Sequence, residues 1–416
     1  MGATDCKVLY LDDTAEEEPT HKFFHGTILQ LEKAPGRGRF LAAKKDIPSG
    51  ELVLRCPAYA AAVFSSHKKR ICRYCLAVSQ KRSHSLTCSE CGQVFWCSDA
   101  CRQQHLGCDA SSAESRFEAT GRTTAPHSLV CGFLKSIRSC KFDTELESVL
   151  AVLADIAARA LLGRTGSAPV PDLAGGLQPI EDFLLLEGHL EEILRDPSER
   201  QVWSKGARML LEHFQAMEGG GEMIRDLGLT PTRLIDWGSK VLCNNFALNY
   251  EPARESEQGA LGDPSDSPEC DRETDGPTRL ADDIANCVEL GADSALGAPK
   301  RSRGGSLCCG RVVFVAASFF NHSCSPNCIA HTGIDEVEVR ANRDIRAGEE
   351  LNISYIDEDL PRSERQRLLS RFFFTCRCSR CEEEAISGSK KYTYLRSCSV
   401  RNTKPKRHGR KARTSR

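Results

Sequence analysis

Apolar and polar positions along the chain follow two alternating rhythms. Between Gly36 and Leu54 they have the spacing of short strands: Phe40-Leu41-Ala42-Ala43 follows the glycine pair Gly36 and Gly38, Ile47-Pro48-Ser49-Gly50 is turn chemistry, and Glu51 to Leu54 reads as a second strand. From Asp143 to Gly163 the rhythm becomes helical, with Leu146, Val149, Leu150, Leu153, Ile156, Ala157 and Leu161 between a polar start and a glycine stop. Further helices are expected at 180–195, 198–217 and 231–241, with Gly219-Gly220-Gly221 as punctuation, and their apolar stripes read as core. Strand character returns at Cys243-Asn244-Asn245-Phe246-Ala247-Leu248. From Glu251 to Val313 there is no aromatic residue, and Gly, Pro, Ser and Asp crowd the segment. It is expected to be a disordered insertion, at about 251–310, because so little apolar surface cannot offset the entropy of ordering it. Val312 to Phe320 then reads as a buried run, and in Gly348 to Tyr355 the residues Leu351, Ile353 and Tyr355 alternate with polar ones, as on one face of a strand.

Where the buried run breaks, ahead of the turn Ser325-Pro326-Asn327, the chain places Asn321-His322-Ser323-Cys324. Polar residues in succession at that point favour a ligand contact over mere backbone satisfaction. Twenty-two cysteines in 416 residues, many closely spaced, point to zinc rather than to a disulfide framework. Cys72-x2-Cys75, Cys88-x2-Cys91 and Cys97-x3-Cys101 offer six thiols, so two tetrahedral ions need two more ligands. Ser98 is placed to cap a helix carrying Cys101 and His105 four residues apart, so His105 with Cys108 and His127 with Cys131 both qualify. Cys376-x-Cys378-x2-Cys381 is short of a tetrahedron by one ligand.

In this order, Gly36-Arg37-Gly38, Asn321-His322-Ser323-Cys324, the strand ending at Tyr355 and the three late cysteines resemble the core of a SET domain, the S-adenosylmethionine-dependent protein lysine methyltransferase fold. One such tetrad alone is weak, but four motifs in the right order are specific. The first three cysteine pairs and His127-x3-Cys131 resemble a MYND finger, from which this chain departs by the long gap between Cys101 and His127. The resemblance implies an α+β fold, a SET-domain core of small sheets with an inserted finger, a helical insertion and a zinc-binding post-SET cap. The expected boundaries are an acidic tail at 1–20, the N-terminal part of the SET domain at 21–66, the finger at 67–131, the helical insertion at 132–242, the rest of the core at 243–357, the cap at 358–384 and a basic tail at 385–416.

The same resemblance implies three zinc ions: one on Cys72, Cys75, Cys97 and Cys101, one on Cys88, Cys91, His127 and Cys131, and one on Cys376, Cys378 and Cys381 with Cys324, Cys328 being the fallback. It implies that Arg37, Gly38, Asn244, Asn321, His322, Tyr355 and Phe374 bind S-adenosyl-L-methionine, that Tyr355 is catalytic, and that Phe372 and Phe374 wall the substrate channel. An ordinary turn asparagine at 244 and a core tyrosine at 355 are the alternatives. The family often has Tyr where Phe372 stands, which leaves the number of methyl groups added open.

Composition refines this picture at the edges. A hydrophobic content of 40% allows a sizeable core, and a net charge of -1 gives no global pull toward nucleic acid or membrane. Residues 1–20 carry six acids against Lys7, whereas residues 390–416 carry eleven Lys or Arg and no acid. The run Lys404 to Arg413 reads as an import signal, a nucleic-acid contact or a solvated tail. With no secretory pattern and no long apolar stretch, an intracellular monomer in nucleus or cytoplasm is expected. Its expected partners are protein or peptide lysine substrates, histones among them, and peptide ligands of the finger. The competing expectation is an inactive adaptor. Longer family members continue with a helical domain over the substrate cleft, so a more open cleft is expected here.

Overall fold

The computed structural model describes residues 23–34, 38–79, 83–106, 125–164, 180–250, 307–333 and 336–387. Gly36, Arg37, Cys108, the segment 251–306 and both charged tails, the acidic one and the basic run from Lys404, lie outside the described residues. The chain forms two compact units, one running to Asn321 and including Pro326–Ile353, the other made of His322–Ser325 and the chain from Ser354.

The first unit contains β1 (Leu29–Ala34), β2 (Gly38–Ala43), β3 (Leu52–Pro57), β4 (Ala60–Val63), β5 (Leu86–Thr87), β6 (Phe95–Trp96), β7 (Asn245–Tyr250) and β8 (Leu307–Val313). After β9 (Asn321–His322), where the chain leaves this unit, come β10 (Cys328–Thr332), β11 (Glu336–Ala341) and β12 (Glu350–Ile353). The strands are antiparallel: β1 pairs with β2 and β2 with β12; β11 lies between β10 and β3; β8 lies between β4 and β7. Gly38 opens β2 at φ +70°, a left-handed conformation that costs glycine nothing.

Leu307–Val313 corrects the expected insertion at its C-terminal end. This segment is the central strand of its sheet, with Cys309, Arg311, Val312 and Val313 buried. A strand covered on both faces shows no alternation, so the absence of aromatic residues was a poor guide to its burial.

The helices of this unit are α1 (Asp99–Leu106), α2 (His127–Ser139), α3 (Thr144–Arg164), α4 (Ile180–Leu184), α5 (Leu190–Arg195), α6 (Pro197–Gln215), α7 (Gly220–Asp226) and α8 (Pro231–Cys243). Asp196 and Thr230 cap α6 and α8 by accepting from Ser198 N and Arg233 N, each followed by proline at the first helical position. The helix expected at 180–195 is two helices, because the chain turns at Gly188, where a Cβ would stand 2.5 Å from Ser239 Oγ. The sequence reading missed α2, which buries His127, Val130, Phe133 and Ile137 and runs across the expected finger boundary.

In the second unit α9 (Arg362–Leu369) is followed by a short 3-10 turn and by a helix over 379–387. Its core is Cys324, Leu369, Cys376 and Cys381, with Tyr355, Ile356, Phe372, Phe374 and Cys378 packed against them.

Candidate active site and metal centres

Three groups of four ligand atoms converge, each within 4.8 Å of one another: Cys72, Cys75, Cys97 and Cys101; Cys88, Cys91, His127 and Cys131; Cys324, Cys376, Cys378 and Cys381. Tetrahedral zinc with ordinary bond lengths sets ligand edges of about 3.8 Å between sulfurs and about 3.5 Å between sulfur and nitrogen. The observed separations fit: 3.5 Å for Cys75–Cys97 and Cys97–Cys101, 3.7 Å for Cys88–Cys131, 3.5 Å from Cys91 Sγ to His127 Nε2, and 3.9 and 3.5 Å from Cys324 to Cys376 and Cys381. Buried thiols resist ionisation, so a cation is what makes four thiolates in one cluster tenable.

Local structure accounts for each convergence. Ser98 Oγ accepts from Cys101 N and opens α1, which turns Cys101 toward Cys97. On α2, His127 and Cys131 are one turn apart and so face the same way. His105 is otherwise engaged: its Nδ1 accepts from Trp96 Nε1 at 3.0 Å, and its ring lies 5.4 Å from that of His127. Cys328 is buried outside the third cluster, and burial pushes its thiol up to about 12.

In the first unit, Asn321 Nδ2 donates to Arg39 O at 2.9 Å and to Glu350 Oε1 at 3.2 Å. Asn244, the C-cap of α8, donates from Nδ2 to Glu187 O and Lys240 O, both at 2.7 Å. Neither asparagine's Oδ1 has a hydrogen-bond partner among the described residues. Each amide is therefore held by its nitrogen with its oxygen left to accept, and Gly38 has open space where a Cβ would stand. These groups fit a ligand rich in donors, such as the adenine and amine of S-adenosylmethionine.

In the second unit, β12 has ended before Tyr355, so the tyrosine is not on the strand whose face Leu351 and Ile353 share. Its backbone N–H donates to His322 Nδ1 at 3.0 Å, and its ring lies 5.4 Å from the imidazole, 5.3 Å from Phe372 and 6.4 Å from Phe374. With Nδ1 accepting, the proton of the neutral imidazole is on Nε2, which stands 3.2 Å from Cys324 Sγ. Burial, with Arg365 nearby, lowers the His322 pKa to about 4, so the ring is neutral at physiological pH.

The sequence reading missed Glu187, whose carboxylate pairs with Arg39 at 2.7 Å while its carbonyl receives Asn244. It also took Asn327 only as a turn residue. Asn327 is 1% exposed, donates to Glu350 O and accepts from Asn352 N, and so fastens β12, two residues ahead of Tyr355. Gly188 beside Glu187 was the available sign of a close-packed loop.

A family model described as SET domain matches residues 38–356. Among curated relatives, a SET and MYND domain-containing protein of Dictyostelium discoideum is 22% identical over 375 residues, 88% of this chain and 84% of its own length. Human histone-lysine N-methyltransferase SMYD3 is 24% identical over 351 residues, 84% of this chain and 60% of its own length. Human N-lysine methyltransferase SMYD2 is similar, at 23% identity with 59% of its length spanned. A solved SET domain, that of LSMT bound to lysine and AdoHcy, aligns with 81% of this chain and 53% of its own at 12% identity and a TM-score of 0.31.

Proposed function

Because this chain belongs to the SET domain family, we propose that it is a protein-lysine N-methyltransferase using S-adenosyl-L-methionine and holding three structural zinc ions. The observation that carries the reading is Tyr355 held by its backbone to a neutral His322 and flanked by Phe372 and Phe374. Its lysine methyltransferase relatives support it, although the chain spans about 60% of their length.

Lysine must react as the neutral amine. With a reference pKa near 10.4, removing its proton at pH 7 costs about 4 to 5 kcal/mol. S-Adenosylmethionine supplies, when bound, a methyl group on a positively charged sulfur. An apolar aromatic wall disfavours the ammonium form, and Phe372, Phe374 and Tyr355 make such a wall. His322 is no free base, since Nδ1 already accepts from Tyr355 N and Nε2 faces Cys324. The chemistry asked of the protein is therefore alignment, with the Tyr355 hydroxyl orienting the amine in a narrow channel. By resemblance, Arg37, Gly38, Asn244, Asn321, His322 and Phe374 are the residues proposed to hold the methyl donor. Each zinc would have four protein ligands, a closed structural site.

The substrate class is a lysine in a protein or peptide, with histone tails to be tried first because several relatives carry that name. No helix among the described residues is long and apolar enough to cross a membrane. The Lys/Arg run from Lys404 to Arg413 supports a nuclear or cytoplasmic setting. Incubation with labelled S-adenosylmethionine and a lysine-peptide array that includes histone tails should put label on lysine. Binding of the methyl donor without transfer to any peptide would replace this reading with that of an inactive adaptor.

A further inference from the structure

The third cluster sets an electrostatic problem. Four thiolates around one divalent cation carry a net charge of about −2, and Cys324, Cys376 and Cys381 are buried. A buried anion of that size needs donors aimed at its sulfurs. Arg365 and Gln366 on α9 supply them. Arg365, 1% exposed, directs Nη2 toward Cys381 Sγ at 3.7 Å, and Gln366 Nε2 donates to the same sulfur at 3.4 Å. Gln366 also brackets Cys376, accepting from its N–H at 3.0 Å and donating to its carbonyl at 2.9 Å. The guanidinium is locked by Leu360 O and by Glu384, each at 2.6 Å; Glu384 also takes Arg380, which donates to Cys324 O at 2.9 Å. At Cys324 the last donor is His322 Nε2, on the ring that holds the Tyr355 backbone.

We propose that Arg365 and Gln366 are positioning residues of the third metal centre: their donors to Cys381 offset the thiolate charge, govern how firmly this cluster keeps its ion, and through Cys324 and His322 keep Tyr355 in place. The last clause rests on the methyltransferase reading, whereas the metal-retention clause stands without it.

The test uses the full-length protein with 113Cd in place of zinc, the third cluster's resonance being identified as the one lost in Cys378→Ser. In Arg365→Met that resonance alone should shift. Zinc should leave the third cluster for a chelator about 10- to 100-fold faster than in the parent, the usual effect of removing an outer partner of a metal ligand. Arg365→Lys, which keeps the charge without the planar fork, should recover part of this. Turnover should fall without a matching rise in KM for the peptide. If Arg365→Met does not fold, Gln366→Met carries the test with the same readouts, since it removes a neutral amide rather than a buried charge. Release within about twofold of the parent, or equal changes at all three clusters, would overturn the proposal. Selective zinc loss in a protein whose parent transfers no methyl group would uphold the metal-retention clause and remove the methyltransferase reading.

Discussion

Replacing Asp155 with Ala should be among the most damaging single changes outside the metal ligands. Arg73 sits between Cys72 and Tyr74 in the finger, and its Nη2 meets Asp155 Oδ2 of α3 at 2.6 Å and Ala61 O at 2.9 Å. The two side chains are 11% and 2% exposed. Burial raises the Asp155 carboxyl above its usual range and Arg73 is the main opposing influence, so each charge is tolerated because of the other. Arg73 Nη1 already lacks a hydrogen-bond partner among the described residues. Asp155→Ala therefore strands a buried guanidinium, at a cost of about 3 to 5 kcal/mol, where an exposed pair would cost about 1 or less. With a urea dependence of about 2 kcal/mol per molar, the unfolding midpoint should drop by about 1.5 to 2.5 M. Tryptophan fluorescence suits the assay, because Trp96 reports on the finger and Trp203 and Trp237 on α6 and α8. Arg73→Met with Asp155→Leu removes both charges and should recover most of the loss. A single-variant shift below about 0.5 M, or a double variant no better than the single, would show that Asp155 does not offset a buried Arg73 charge.

Elemental analysis should find three zinc ions in the parent and two in His127→Ala, whereas His105→Ala should keep three and lose about 1 to 3 kcal/mol by leaving Trp96 Nε1 unpaired. Cys324→Ser should likewise release one ion and Cys328→Ser none, as measured on matched preparations. His67 supplies a pH dependence. Burial, with Arg70 nearby, lowers its pKa to about 4, so below about 6.5 the unfolded chain takes up a proton that the folded one refuses. Stability should fall as pH drops through that window, by up to about 3 kcal/mol, and His67→Asn should flatten the slope at fixed metal loading.

The cysteine pairs were legible from their spacing, whereas their grouping into three sets, with Cys324 in the third, came from the resemblance to the SET and MYND pattern. The choice between His105 and His127 was not, since each lies one helical turn from a cysteine, and the partner that decides it, Trp96, arrives from β6. The 3.6-residue pattern located α3 within a residue, whereas α2 was hidden because His127 and Cys131 had been read only as ligands. Glu187 was harder to read for another reason: Gly188 marks a close-packed loop, but not that the loop returns to Arg39 and Asn244. Tyr355 was placed on a strand by alternation alone, but alternation persists one step past the last ladder contact.

Whether Tyr355 acts on the reacting lysine or on the fold is decided by single-turnover methyl transfer in Tyr355→Phe, with zinc content and thermal midpoint measured on the same preparation. Transfer should be lower by about 10²-fold or more, the scale on which misplacing a reacting group is felt, with metal, midpoint and affinity for the methyl donor close to the parent's. A variant destabilised by about 1 to 3 kcal/mol, as expected for a lost buried hydroxyl bond, yet fully active per folded molecule, would contradict it.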